Sequence, residues 1–384
     1  MTTIVQDRSG LRTRRGTFGS KREIIRNFTP NWFAATMGTG ILAVSLGQFS
    51  QMPILFTIGA ALWCLNILLF CAFTCIYAAR WILYPEEAGR VFDHPILSMF
   101  FGCIPMGLAT IVNGFLLFGV PMLGEMSVEI AFVLWWIDAA LAIVIGLAIP
   151  FMMFTRQDHA IDQMSAVWLL PIVAGEVAAV SGGLLLPHLA DPTTQLNVLI
   201  ASFVLWACSV PLALGILVIL FLRMIVHNLP HAGMAATSWL ALGPIGTGAL
   251  GLALFATNGS AVLNENGLDS LSSAMSGASA LAALLLWGYG LWWLVMAMVI
   301  TLRYVRDGLP FNIGWWGYTF PLGVYAVATH RLGSIFHVAF IDAFDDVLVA
   351  ALVVIWIVVA SRTVVGVLNG SLLVDPSLDR RASV

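Results

Sequence analysis

The chain has 384 residues, of which 60% are apolar and only 10% charged, and its net charge is −3. Soluble domains carry about 25% charged residues, so this composition excludes a soluble fold and argues against nucleic-acid binding. A mean hydropathy of +0.95 points to an all-α protein of the bilayer.

Residues 1–27 form a polar tail with seven basic residues (Arg8, Arg12, Arg14, Arg15, Lys21, Arg22 and Arg26). It lacks the apolar stretch of a cleavable signal peptide, so the first span directs insertion, and the tail is expected to be disordered. A hydrocarbon core of about 30 Å needs roughly 20 apolar residues per helix. Ten such segments follow: 29–49, 53–79, 92–118, 127–154, 163–186, 194–222, 237–257, 274–304, 313–333 and 342–369. They make residues 28–370 one transmembrane domain, and residues 371–384 a second polar tail, also expected to be poorly ordered.

Lys and Arg collect on the cytoplasmic side of membrane proteins. With ten spans, 16 of the 17 basic residues fall on one face, and Arg331 alone lies on the other. Both tails are therefore expected in the cytoplasm, with the protein a multi-pass constituent of the cell membrane. The five cysteines all lie in apolar segments and are read as buried hydrophobes rather than as disulfides or metal ligands.

Pro105/Gly107, Pro171/Gly175, Pro244/Gly246 and Pro321/Gly323 recur roughly every 65 to 80 residues, each pair inside an odd-numbered span. Gly38 and Gly40 occupy the matching place in the first span. The chain therefore reads as five related helical hairpins. The odd spans hold 17 glycines and the even ones 7, which assigns the odd helices to an inner ring, for close packing, for pore space, or for both. Proline removes a backbone hydrogen bond and bends a helix, so the kinks are expected to mark the waist of a pore. The carbonyls freed there, at Phe101, Val167, Leu240 and Gly317, have the wrong polarity for an anion. Pro150 and Pro211, in even spans, are read as packing kinks.

Mid-membrane carboxylates are costly and mark a pathway or a pair. Glu176 lies five residues beyond Pro171 on an inner segment. It is read either as a protonatable site or as a glutamate hydrogen-bonded between helices. Asp138, in the fourth span, is expected to bond a neighbouring helix. His337 near Asp342, Asp345 and Asp346 is read as a solvated loop residue, with no metal site assigned. Arg331 is a candidate charge at the outer mouth, and Arg90 and Arg223 lie near the inner mouth. Thr36, Thr39, Thr110, Asn113 and Thr247 are candidate neutral donors to an anion.

Four blocks carry a family resemblance: FTPNWFAATMGTGI (28–41), HPILSMFFGCIPMGLATIVN (94–113), LLPIVAGEVAAVSGG (169–183) and WWGYTFPLGVYAVAT (315–329). They resemble the tellurite-resistance/dicarboxylate transporter family, which includes malate permeases, sulfite efflux pumps and slow anion channels. The MGTG and PMGLATIVN blocks are most similar to the sulfite-efflux and malate branches. The resemblance implies ten transmembrane helices as five hairpins in quasi-five-fold arrangement, odd helices lining a central pore, and a homotrimer. It also implies a phenylalanine plug at the level of the kinks, which falls on Phe320, immediately before Pro321. The expected function is transport of a small anion, a C4-dicarboxylate such as malate or sulfite, with no cofactor and no catalytic chemistry. A gated passive anion channel is the nearer alternative, and a membrane-embedded enzyme the distant one.

Overall fold

The computed structural model describes residues 21–378, so the expectations placed on residues 1–20 and 379–384 lie outside the described residues. Ten principal helices organise the chain: α1 (Phe33–Gly47), α2 (Pro53–Leu83), α3 (Cys103–Gly114), α4 (Glu125–Thr155), α5 (Leu170–Leu185), α6 (Pro192–His227), α7 (Leu242–Leu254), α8 (Asp269–Asp307), α9 (Thr319–Phe336) and α10 (Ala339–Leu368). No strand occurs among the described residues.

Eight segments, counted with their adjoining turns, are long and apolar enough to cross a membrane, against ten expected. The two that fall short are α1 and α9. At 1.5 Å per residue the 15 residues of α1 rise only about 22 Å, and α9 carries Thr319, Thr329, His330 and Arg331. Every residue of α1 is buried within the protein. A helix that does not face lipid needs neither full length nor uniform apolarity.

The odd helices form a closed ring, in which α1 packs on α3, α3 on α5, α5 on α7, α7 on α9, and α9 back on α1. Each even helix packs against the inner helix before it and also touches the next one. Burial separates the two layers. Between 78 and 94% of the most apolar window is buried in the α3, α5 and α7 spans, against 17 to 44% in the five outer helices.

One tryptophan per outer helix ties the layers together. The indole N–H groups of Trp63 (α2), Trp135 (α4) and Trp206 (α6) donate to the carbonyls of Ile111, Ala178 and Gly248 at 3.2, 2.8 and 3.1 Å. Those of Trp287 (α8) and Trp356 (α10) donate to the hydroxyls of Thr329 and Thr39 at 2.9 and 3.1 Å. In every case the acceptor is on the next inner helix around the ring. Inner glycines seat three of these rings: a methyl group at Gly114, Gly182 or Gly251 would strike Trp63, Trp135 or Trp206. The glycine excess of the odd spans thus serves close packing.

The prolines do not interrupt continuous α-helices. A 3₁₀ segment precedes each break at Leu97–Gly102, Ala166–Leu169 and Ile313–Tyr318, and a short helical turn, Thr237–Leu240, precedes the fourth. Pro105, Pro171, Pro244 and Pro321 then fall in the first turn of the α-helix that follows. Proline is tolerated there, because first-turn N–H groups have no intrahelical partner. The 3₁₀ pattern also re-employs a carbonyl expected to be free: Leu170 N–H donates to Val167 O. Pro150 and Pro211 do sit inside continuous helices.

Three further expectations are corrected. Residues 21–26 are helical rather than structureless, and the chain beyond α10 packs onto the protein through Leu372, Leu373 and Asp375. Cys103 is buried, but Cys64, Cys71, Cys75 and Cys208 are exposed on outer helices, where lipid replaces a protein core. Asp138 is fully buried, yet neither carboxyl oxygen has a hydrogen-bond partner among the described residues.

Candidate functional site

A cavity of about 380 Å³ opens at the end of the ring where all five inner helices begin. Its wall includes Ala34 and Met37 at the start of α1, Leu97 and Phe100 before α3, and Val167 and Leu170 at the start of α5. Ala236, Leu240 and Gly317 complete the ring. This vestibule reaches the level of the breaks, with Gly317 one turn before Phe320.

The inner helices are parallel, since each is separated from the next by one outer helix. Their N-terminal ends therefore converge on the vestibule. A helix start carries unsatisfied N–H groups and the equivalent of roughly half a positive charge. This arrangement turns the positive ends of five helix dipoles towards the vestibule.

Phe320 is 2% exposed, at the start of α9. Of its counterparts before proline, Leu170 lines the vestibule and is buried, whereas Ile104 is half-buried. The glycines beside the breaks face neighbouring helices. A methyl group at Gly38 would meet Thr319 and Trp316, one at Gly40 Thr110 and Asn66, and one at Gly107 Thr36. Gly246 and Gly323 face Tyr325 and Ile41, while Gly175 faces Leu205 and Ser209 of α6.

Glu176 is fully buried in the wall between α5 and α7. The Thr247 hydroxyl oxygen lies 3.1 Å from its Oε1 and 2.5 Å from the Gly243 carbonyl, and Oε2 has no partner among the described residues. A hydroxyl has one proton to give. When Thr247 donates to Gly243, the contact with Glu176 is a hydrogen bond only if the carboxyl brings its own proton.

The other candidate donors are engaged in structure. Thr36 donates to Phe33 O and Thr110 to Gly107 O, both at 2.7 Å, while Thr39 accepts from Trp356. Asn113 remains, 7% exposed and with its side-chain oxygen unpartnered among the described residues. Arg331 lies towards the opposite end of the ring, its guanidinium 2.9 Å from both Thr257 Oγ1 and Asn258 Oδ1 in a π-helical turn, Phe255–Gly259, beyond α7. Arg223 is spent on the carbonyls of Asp162 and Asn228, and Arg90 is exposed. At the end of the ring opposite the vestibule it is His330, not His337, that meets the acidic group, with Nδ1 2.9 Å from Asp345.

Residues 27–364 match the family model described as SLAC1, voltage-dependent anion channel. The chain belongs to the SLAC1 family. It is 38% identical over 345 residues to a sulfite efflux pump of Arthroderma benhamiae, covering 88% of this chain and 91% of the relative. An uncharacterised transporter of Methanocaldococcus jannaschii is 34% identical, covering 91 and 96% of the two chains. The malic acid transport protein of Schizosaccharomyces pombe is 25% identical, covering 87 and 77%. In this SLAC1-family chain, the five-helix ring opens at one end into the vestibule.

What the sequence reading missed is the tryptophan series and the convergent helix ends. The first had a signal: Trp63, Trp135, Trp206, Trp287 and Trp356 recur in the even spans at the repeat spacing. The second follows only once the odd helices are known to share one ring.

Proposed function

We propose that this protein passes a small anion, sulfite or a C4-dicarboxylate, through the centre of the five-helix ring, and that it carries out no catalytic chemistry. The observation that carries this reading is the vestibule walled by the segments that lead into and begin all five inner helices. Phe320 closes the path at the level of the breaks, with Gly38, Gly40 and the four proline/glycine pairs setting how closely the helices approach there. Glu176 takes up a proton with the anion, and Arg331 raises the local anion concentration at the far mouth. The vestibule faces the cytoplasm, as do both tails, in the cytoplasmic membrane, and the protein assembles as a homotrimer.

The test is reconstitution into vesicles, with sulfite and malate flux measured under separately imposed pH and voltage gradients. Flux of at least one anion is expected, rising several-fold in Phe320→Ala. Flux that follows voltage and ignores the pH gradient would replace the proton-coupled reading with that of a passive channel. Equal flux in correctly folded Phe320→Ala and wild type would remove the plug.

A further inference from the structure

The chain beyond α10 runs along the rim of the vestibule past the start of α1. Gly370, at φ +68°, turns it away from the helix axis, a conformation that favours glycine. Ser371, Leu372, Val374 and Pro376 then line the same cavity as the starts of the inner helices. At the near end Ser371 N–H donates to Gly366 O at 3.0 Å, and Leu372 lies against Gly366.

The far end is fastened differently. The Asp375 carboxylate pairs with the Arg80 guanidinium, and both side chains are fully buried. Arg80 also donates to Phe28 O at 2.7 Å and Glu87 O at 3.3 Å. Asp375 Oδ1 accepts from the Ser377 N–H and hydroxyl at 2.8 and 2.6 Å, and its own N–H donates to Asn27 Oδ1 at 3.3 Å. A dry ion pair holds firmly while intact, because neither charge is tolerated there without the other.

Leu372 and Leu373 pack against the protein core and Asp375 is buried, yet Val374 stays 56% exposed, and the segment lines a space of about 380 Å³ without filling it.

We propose that residues 370–378 are a strap that closes the vestibule, with Gly370 as hinge and the Arg80–Asp375 pair as latch. The proposal rests on reading the vestibule as part of the anion path. Anions enter or leave at this end only when the strap lifts.

The test uses the full-length protein carrying Leu240→Cys in the vestibule wall, with the same protein lacking that cysteine as background. Labelling by a charged, water-soluble thiol reagent is compared with and without Asp375→Asn, and with the pair Arg80→Gln and Asp375→Asn. The paired change leaves no orphaned buried charge, so it reads out even where the single variant does not fold. We expect labelling at least tenfold faster in the unlatched forms, with anion flux raised several-fold. Unchanged labelling in the folded paired variant would overturn the strap. Faster labelling without anion flux in any form would uphold the strap and overturn the anion-path reading.

Discussion

At the scale of single residues, the most informative contact is that of Glu176 with Thr247. Two acceptors, Gly243 O and Glu176 Oε1, surround one hydroxyl, so a further proton on the carboxyl completes the hydrogen-bond set. Glutamine offers N–H donors with the same reach but cannot titrate. Under the proposed proton coupling, Glu176→Gln is expected to keep a wild-type fold while its uptake, unlike that of wild type, becomes independent of pH, checked by flux at a series of external pH values. Asp138 shows the limit of residue-level reasoning. Its place in an apolar helix was plain in the sequence, but no local pattern could say that no partner among the described residues would meet it.

At the scale of elements, helix ends and helix breaks follow local rules. Asp191 caps α6, accepting from Thr194 N–H at 2.8 Å and from the Thr194 hydroxyl at 2.6 Å. The hydroxyl and then the backbone N–H hold its carboxyl below the ordinary aspartate value. A folded-state value below the unfolded one, about 3.9, gives a stabilisation fully present above that pH and lost as pH falls through the folded value. Asp191→Ala should lower the melting temperature at pH 7, and its gap to wild type should narrow near pH 3, with circular dichroism as the readout. The site is exposed, so the change is modest. The proline breaks obey the same local logic. Their positions were legible from the repeat, but their form, a short 3₁₀ or helical turn leading into an α-helix with the proline in its first turn, was not.

At the scale of the whole molecule, the two layers are held in register by five indole hydrogen bonds. Trp135 is fully buried and reaches Ala178 O across the ring interface. Trp135→Phe keeps most of the ring contact and removes only the indole N–H donated to the Ala178 carbonyl, for an expected loss of about 1 kcal/mol. Trp135→Ala removes the ring as well, for about 3–5 kcal/mol. Denaturant titration of the purified protein checks the ratio, and equal losses would mean that the hydrogen bond, not the packed ring, holds this seam. The two short helices belong to this scale too. Segments 29–49 and 313–333 look like membrane spans in the sequence, whereas their helices fall short because other helices, not lipid, surround them.

The sequence by itself determined what composition and repeat spacing can carry: a helical membrane protein, five hairpins, the odd helices inside, and breaks at Pro105, Pro171, Pro244 and Pro321. These are properties of each segment and its period, and they need no knowledge of which segments touch. Tertiary structure decided what depends on convergence. Closing the ring brings five parallel helix starts, with the positive ends of their dipoles, to one vestibule. It sets Glu176 against Thr247, 71 residues away, and Asp375 against Arg80, 295 residues away. Pairings so distant are set by the three-dimensional path of the chain, and no local pattern of residues encodes them.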